Sequence, residues 1–223
     1  MYQNPYVKLK PPIRKPYTEI YLIRHCNPNY DLEKKVGEYN MPLSAVGRKQ
    51  RRFLTKRLLT MELDEVYTSG LPRAQETSAV YTKRAKKNII IDQRLDEMNW
   101  KDWYRIKYFN MSEKMREKKF RHHERLNKEL DKKQTIARRV LADIFHHNHG
   151  KKVAIFSHGN FIKALLTGIL NADVIGFLSL EIFQSSISKL IIDRDGYIKI
   201  GYINDVSHLP MPPTEDLFVT LID

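Results

Sequence analysis

The sequence is poor in the features that would place it outside the cell or across a bilayer. It has one cysteine, Cys26, among 223 residues, so no intramolecular disulfide can form and a reducing compartment fits. No window approaches the roughly 18 consecutive apolar residues of a membrane span, and mean hydropathy is −0.52. The N-terminal stretch MYQNPYVKLKPPIRKPY has neither an apolar core nor a small-residue cleavage site, so it does not read as a secretory signal. Internal repeats and interdomain linkers are missing too. These absences imply a cytoplasmic protein of one domain, and hydrophobic residues at 42% are enough for a sizeable core.

Negative charge is also scarce. There are 26 Asp and Glu against 39 Lys and Arg, a net charge of +13. Such a balance suits anionic partners, namely phosphorylated substrates, nucleic acid or a membrane surface, and it also suits a merely well-solvated exterior. The excess is concentrated. Between Lys101 and Lys152 there are 16 Lys and Arg against 7 Asp and Glu, an excess of nine.

What is present reads as alternating strands and helices. Residues 1–17, with Pro11, Pro12 and Pro16, form an extended basic arm. Thr18 to His25 (TEIYLIRH) is an apolar run typical of a buried strand. Ser44 caps a helix in which Phe53, Leu54 and Leu58 recur at helical spacing. LDEVYTS is a second strand, a second helix starts at Arg73, and NIIIDQRL is a third strand. From Trp103 to about Asn148 the chain reads helical and highly charged, with one stripe of Tyr104, Tyr108, Met111 and Met115. Leu126, Leu130, Ala137, Val140 and Ile144 make another. The polar run Glu113 to Lys133 is expected to face solvent or to form a lid, within a helical insertion at about 104–133. KKVAIFSH is a further strand, GNFIKALLTGIL the helix after it, and ISKLIIDRDGYIKIGYIND a hairpin turning at Asp195-Gly196. The fold class expected for residues 18–223 is therefore α/β: a mostly parallel central sheet flanked by helices, a three-layer sandwich with a charged helical lid.

Ligands of such sheets bind at the carboxyl ends of strands, and two strands here end in histidine, IYLIRH and VAIFSH. Phosphoryl transfer needs cations that spread the charge of the transferred group and a nucleophile in line with the leaving oxygen. A neutral imidazole, with an ordinary pKa of about 6.5, is competent near neutral pH. Arginine offers a planar fork that matches phosphate oxygens, and a carboxylic acid can protonate the leaving group. Arg24-His25 ends one strand, Arg73 follows another, Glu97 a third, and His158 ends a fourth.

Taken in order, Arg24-His25, LSAVGRKQ, SGLPRAQET, LDEMNWKDW and FSHGNFIKALL resemble the histidine phosphatase superfamily, the phosphoglycerate mutase-like fold, over roughly Ile20 to Ile203. The resemblance implies that His25 is the phosphorylated nucleophile and that Arg24 and Arg73 clamp the phosphate. It implies that His158 is the second histidine at the phosphoryl group, and Glu97 the acid toward the leaving group and then the base toward water. It also implies that no metal or other cofactor takes part. Around these positions the chain departs from the family pattern. Cys26 stands where glycine is usual, Asp31 where asparagine often lines the phosphate pocket, and Lys101 and Tyr104 replace Gly and Glu around Trp103. No longer signature of true phosphoglycerate mutases follows the acid residue, which favours a phosphatase.

Other residues carry competing readings. Asn27 could offer an amide to phosphate or simply form a turn beside Pro28. His146, His147 and His149 suit a helix C-terminus better than a metal site. The acids Glu113, Glu117, Glu124 and Glu129 fall at helical spacings among the basic residues, which favours intrahelical pairs over a nucleic-acid surface. The expected partner is a small phosphomonoester, hydrolysed through a phosphohistidine. A mutase-type phosphotransferase and a phospholigand-binding module with little turnover stand as alternatives.

Overall fold

A computed structural model describes residues 14–99 and 113–210, with side chains from residue 124 onward in the second segment. The six strands are β1 (Thr18–Arg24), β2 (Glu65–Thr68), β3 (Ile90–Ile91), β4 (Lys152–Ser157), β5 (Ile187–Ile192) and β6 (Ile198–Asp205). They form one sheet in the order β3-β2-β4-β1-β5-β6. Strands β3, β2, β4 and β1 run parallel, while β5 pairs antiparallel with β1 and with β6. The helices are α1 (Glu33–Val36), α2 (Ala45–Leu59), α3 (Pro72–Ala85), α4 (Glu113–His147), α5 (Gly159–Ile169) and α6 (Val174–Ser179).

Alternation along the strands builds both cores. Ile20 and Leu22 of β1 and Val153 and Ile155 of β4 face a cluster completed by Leu126, Leu130, Ala137, Val140 and Ile144 of α4, with Phe161 and Leu165 of α5. Tyr21, Ile23, Ala154 and Phe156 face the other side, against Leu54 and Leu58 of α2 and Tyr81 of α3. Because both faces are covered, the central strands read as continuous apolar runs rather than alternating ones. Burying each such leucine contributes roughly 1.5–3 kcal/mol. The result is the expected three-layer sandwich.

Four details differ from the sequence expectation. The third strand is only Ile90–Ile91, on the sheet edge, and gives way at Asp92 to a 3-10 turn, Gln93–Leu95, in which Asp92 accepts a hydrogen bond from the Arg94 amide. Phe53 is surface-exposed, unlike Leu54 and Leu58. The hairpin turn spans Asp193 to Tyr197 and is organised by Asp193 Oδ1, which accepts from the amides of Asp195 and Tyr197. Finally, α4 is one continuous helix whose Leu126 and Leu130 are core residues, so this part of the expected lid belongs to the body. Its exposed side carries the expected i,i+4 pairs, Glu124–Lys128 and Arg125–Glu129. Trp103, Lys101, Tyr104, Tyr108 and Met111 lie outside the described residues, as do residues 1–13. The last residues of the arm dock on the β5–β6 turn: Arg14 accepts from the Arg194 amide at 3.0 Å and lies 3.4 Å from Asp195.

Candidate active site

Register alone brings the two histidines together. Arg24 of β1 is opposite Ser157 of β4 in a parallel pair, so the next residues, His25 and His158, leave the sheet side by side at its carboxyl edge. The His25 amide donates to Ser157 O at 2.9 Å, and the imidazole centroids are 5.0 Å apart. On the other side of β4, Thr68 pairs with Phe156, and the Ser69 amide continues the ladder to Phe156 O. The Asp92 amide in turn donates to Thr68 O, and the short turn after β3 delivers Asp96 and Glu97 to the same edge.

His25 is buried and its ring is oriented by the backbone. Nδ1 lies 2.8 Å from Cys26 O. A carbonyl only accepts, so Nδ1 carries the proton and Nε2 keeps its lone pair. Arg73, also buried, places Nε 3.3 Å from that Nε2 and donates from Nη1 to Glu38 O. Burial, followed by the Arg24 and Arg73 charges, holds the His25 pKa well below the ordinary imidazole value. The ring is therefore neutral at neutral pH.

The loop after β1 has little freedom. The Ser185 amide donates to His25 O, the Cys26 amide to Thr77 Oγ1, and the Asn27 amide to Gln50 Oε1. Gly47 lies so close that a Cβ would sit 2.1 Å from Asn27 O, which only glycine avoids. Asn27 itself has a structural use. Its Oδ1 accepts from the Ser44 hydroxyl at 2.6 Å and its Nδ2 donates to Gln184 at 2.7 Å, so both polar ends tie the loop to its neighbours. Asp31 is exposed on the turn after this loop.

His158 has a different set of partners. Its Nε2 lies 2.7 Å from Ser69 Oγ, and the Ser69 hydroxyl donates to Asp96 Oδ1 at 2.6 Å. Asp96 Oδ1 also accepts from the Gly70 amide. Nδ1 of His158 is buried without a partner, and its pKa is held well below the ordinary value by burial first and then by His25 and the two arginines. Glu97 Oε1 accepts from the amides of Met98 and Asn160, both at 3.0 Å, the latter in the first turn of α5. Burial nevertheless pushes its pKa up, against the pull of Arg24, Arg73 and these amides. Arg24 bonds Ile182 O and lies 3.9 Å from Glu181, while its Nε is buried and unpartnered. Arg24 runs directly over Gly159, where a Cβ would be 3.3 Å from the guanidinium.

The structure thus gathers Arg24, His25, Arg73, Glu97 and His158 at one sheet edge, beside a cleft of about 240 Å³ lined by Arg24, Glu97, Asn160, Lys163, Glu181 and Ile182 among others. Ser69, Asp96 and Thr77 are supporting residues that the sequence reading did not single out. Ser69 opens the SGLPRAQET motif and Asp96 lies in LDEMNWKDW, beside Glu97. His146 and His149 pack as tilted rings against each other and against Phe145, while His147 Nδ1 lies 2.7 Å from Asp143 O at the helix end. Among the described residues no group of three or more His, Cys, Asp or Glu is arranged to hold a metal ion. Nor is any described helix long and apolar enough to cross a membrane.

A two-histidine, two-arginine edge on a β3-β2-β4-β1-β5-β6 sheet defines a class that sequence comparison also finds. The family model for the histidine phosphatase superfamily (branch 1) matches residues 20–205, and the chain belongs to that superfamily. A probable phosphoglycerate mutase, GpmB, of Enterobacter sp. (strain 638) is 25% identical over 221 residues, covering 89% of this chain and 98% of that protein. Among solved structures, Bacillus stearothermophilus YhfR aligns with a TM-score of 0.68 and 26% identity, over 86% of this chain and 98% of its own. A phosphoserine phosphatase from Entamoeba histolytica in complex with phosphoserine aligns with a TM-score of 0.67 and 22% identity, over 86% and 99%.

Proposed function

We propose that this protein is a metal-independent phosphatase of the cytoplasm that hydrolyses a small phosphomonoester through a phosphohistidine on His25. The observation that carries the reading is the Nδ1 contact of His25 to Cys26 O, which leaves a neutral Nε2 facing Arg73. In the first step Nε2 attacks phosphorus, the bond to the leaving oxygen breaks, and protonated Glu97 gives that oxygen its proton. Arg73 exchanges its contact with Nε2 for a phosphoryl oxygen, and Arg24 offers its unpartnered Nε to another. His158, which has only a lone pair at Nδ1 while neutral, takes a proton there from solvent as the dianion arrives, donates a hydrogen bond to it, and gives the proton back to solvent when inorganic phosphate leaves. The Cys26 carbonyl holds Nδ1–H throughout and steadies the charge on the phosphorylated ring. In the second step Glu97 removes a proton from water, the water oxygen attacks phosphorus, and the N–P bond breaks to return neutral His25. Asn27 serves this chemistry by fixing the loop.

Purified protein is expected to release inorganic phosphate from an aryl phosphate in the presence of a chelator, and His25→Ala to abolish that release. Turnover that persists in His25→Ala would refute the mechanism. The relatives described as probable phosphoglycerate mutases favour a second reading, phosphotransfer to a substrate hydroxyl. Product analysis separates the two, since a mutase converts a phosphoglycerate to its isomer without net release of phosphate.

A further inference from the structure

The nucleophile is clamped on both sides of its own peptide. The His25 amide donates to Ser157 O, and the His25 carbonyl accepts from the Ser185 amide at 3.1 Å. The first clamp continues the pairing of β1 with β4. The second comes from the turn between α6 and β5, where the Ser186 amide donates to Phe183 O, and it is made at a cost. Ser185 is fully buried with φ at 67°, the left-handed region that a residue with a Cβ seldom enters. Glycine would adopt it without strain, so a serine held there points to a use for the hydroxyl.

That hydroxyl lies 3.0 Å from Nε2 of His208. His208 stands just past β6, in a turn where Asp205 accepts from the Ser207 amide and Val206 O from the Leu209 amide. The turn brings the half-buried ring back to Ser185. Nδ1 of His208 is buried and has no partner among the described residues. A buried lone pair is less costly to leave unpaired than a buried N–H, so Nε2 carries the proton and donates to Ser185 Oγ. Burial lowers the His208 pKa and keeps the ring neutral, with Asp205 and the Ser185 backbone acting upward and Arg57 downward. The Ser185 side chain also reaches the thiol of Cys26, the residue whose carbonyl holds His25 Nδ1. One serine thus meets His208 on one side and both residues that fix the nucleophile on the other. We propose that His208 is a positioning residue: by holding the Ser185 hydroxyl it keeps the Ser185 amide on His25 O, and so keeps His25 Nε2 in line with phosphorus. This rests on the phosphohistidine reading of the site and extends it to the segment after β6.

Rapid-quench kinetics with an aryl phosphate test it. His208→Ala is expected to slow phosphohistidine formation and kcat by roughly 10- to 100-fold, the effect of a small misplacement of a reacting group, with KM little changed. His208→Gln, whose side-chain amide donates from nearly the same place, is expected to recover most of the rate. Ser185→Gly removes the hydroxyl and relieves the left-handed strain, so it is expected to lose rate by a similar factor while its urea midpoint holds or rises. The double variant is expected to lose little more than the slower single one, because the two side chains act as a unit. Retained kcat in either single variant overturns the proposal, as do losses that multiply in the double variant. So does a His208→Gln protein as slow as His208→Ala, or a rate that falls only in step with the urea midpoint, the pattern of a merely structural link. If Ser185→Gly does not fold, the two His208 variants decide alone. Wild-type turnover without phosphohistidine, or no turnover at all, sinks the reading of the site, and the ring-proton signals of His25 in NMR then decide the positioning role separately. One set of signals in the wild type and His208→Gln that splits or broadens in His208→Ala supports it, and an unchanged set in all three overturns it.

Discussion

Two strand ends, β1 and β4, each deliver a buried histidine to the same edge, and the two differ in what holds the ring. The ring of His25 is tied through Nδ1 to a backbone carbonyl, which can only accept a proton. That of His158 is tied through Nε2 to a serine hydroxyl backed by Asp96. Burial and neighbouring cations depress both pKa values alike. The partner, rather than the pKa, therefore separates the roles: the carbonyl at Nδ1 of His25 leaves Nε2 as the lone-pair atom of a nucleophile, and the Ser69 hydroxyl at Nε2 of His158 leaves Nδ1 as the atom that gains and loses a proton. The Cys26 carbonyl comes from a loop tied to Ser185, Thr77, Gln50, Ser44 and Gln184, whereas Ser69 stands at a junction between β2 and α3 held by Phe156 O and Asp96.

Substitutions at each end should break this contrast unequally. His25→Ala removes the attacking atom, and turnover of an aryl phosphate is expected to fall by at least about 10⁴-fold. His158→Ala removes one donor to the transferred group, and a fall of roughly 10²- to 10³-fold in kcat is expected, with phosphohistidine still forming slowly. Equal losses in the two variants would erase the distinction. Ser69→Ala leaves both rings but frees His158 Nε2. A loss of about tenfold in kcat/KM is expected, the size of one hydrogen bond, while vanadate binding to Arg24 and Arg73 persists.

The pH profile sharpens the same comparison. Neutral His25 is required, and its lowered pKa places the acid limb of kcat/KM below the ordinary imidazole range. Protonated Glu97 is required, and its raised pKa carries the basic limb above the ordinary carboxylate range. Activity toward alkyl phosphates should thus peak on the acid side of neutrality, and Glu97→Gln should leave only the part of the basic limb set by proton uptake at His158. A profile rising steadily to pH 9 contradicts these assignments. The smallest effect is expected at the loop: Asn27→Ala should cost about 1 kcal/mol of stability, read from the urea midpoint, for the two hydrogen bonds it loses. A large rise in KM with unchanged stability would instead assign Asn27 to the phosphate.

The five side chains gathered at the sheet edge were legible in the sequence because each of them sits at a junction. Strands buried on both faces are continuous apolar runs, so their ends at His25 and His158 were visible, and the residues after them had to share an edge. Shorter-range features were not visible. The strand expected at NIIIDQRL is two residues long because Asp92 caps the turn that follows it at once. Leu126 and Leu130 look sparse in a polar run, yet one buried residue per turn is enough to seat a helix on the core. The links of Asn27 to Ser44 and Gln184 cross 17 and 157 residues of sequence, so they were not legible there. Ser69 and Asp96 were missed for the same reason, since a hydrogen-bond chain has no sequence period.

The central claim is chemical: phosphate passes through His25 Nε2. Rapid mixing with an aryl phosphate, quenching in alkali and peptide mass spectrometry tests it directly. An alkali-stable, acid-labile phosphoryl group on the peptide containing His25, formed and consumed within one turnover, is the expected result. Steady turnover with no phosphorylated His25, or with the phosphoryl group on another residue, would contradict the account.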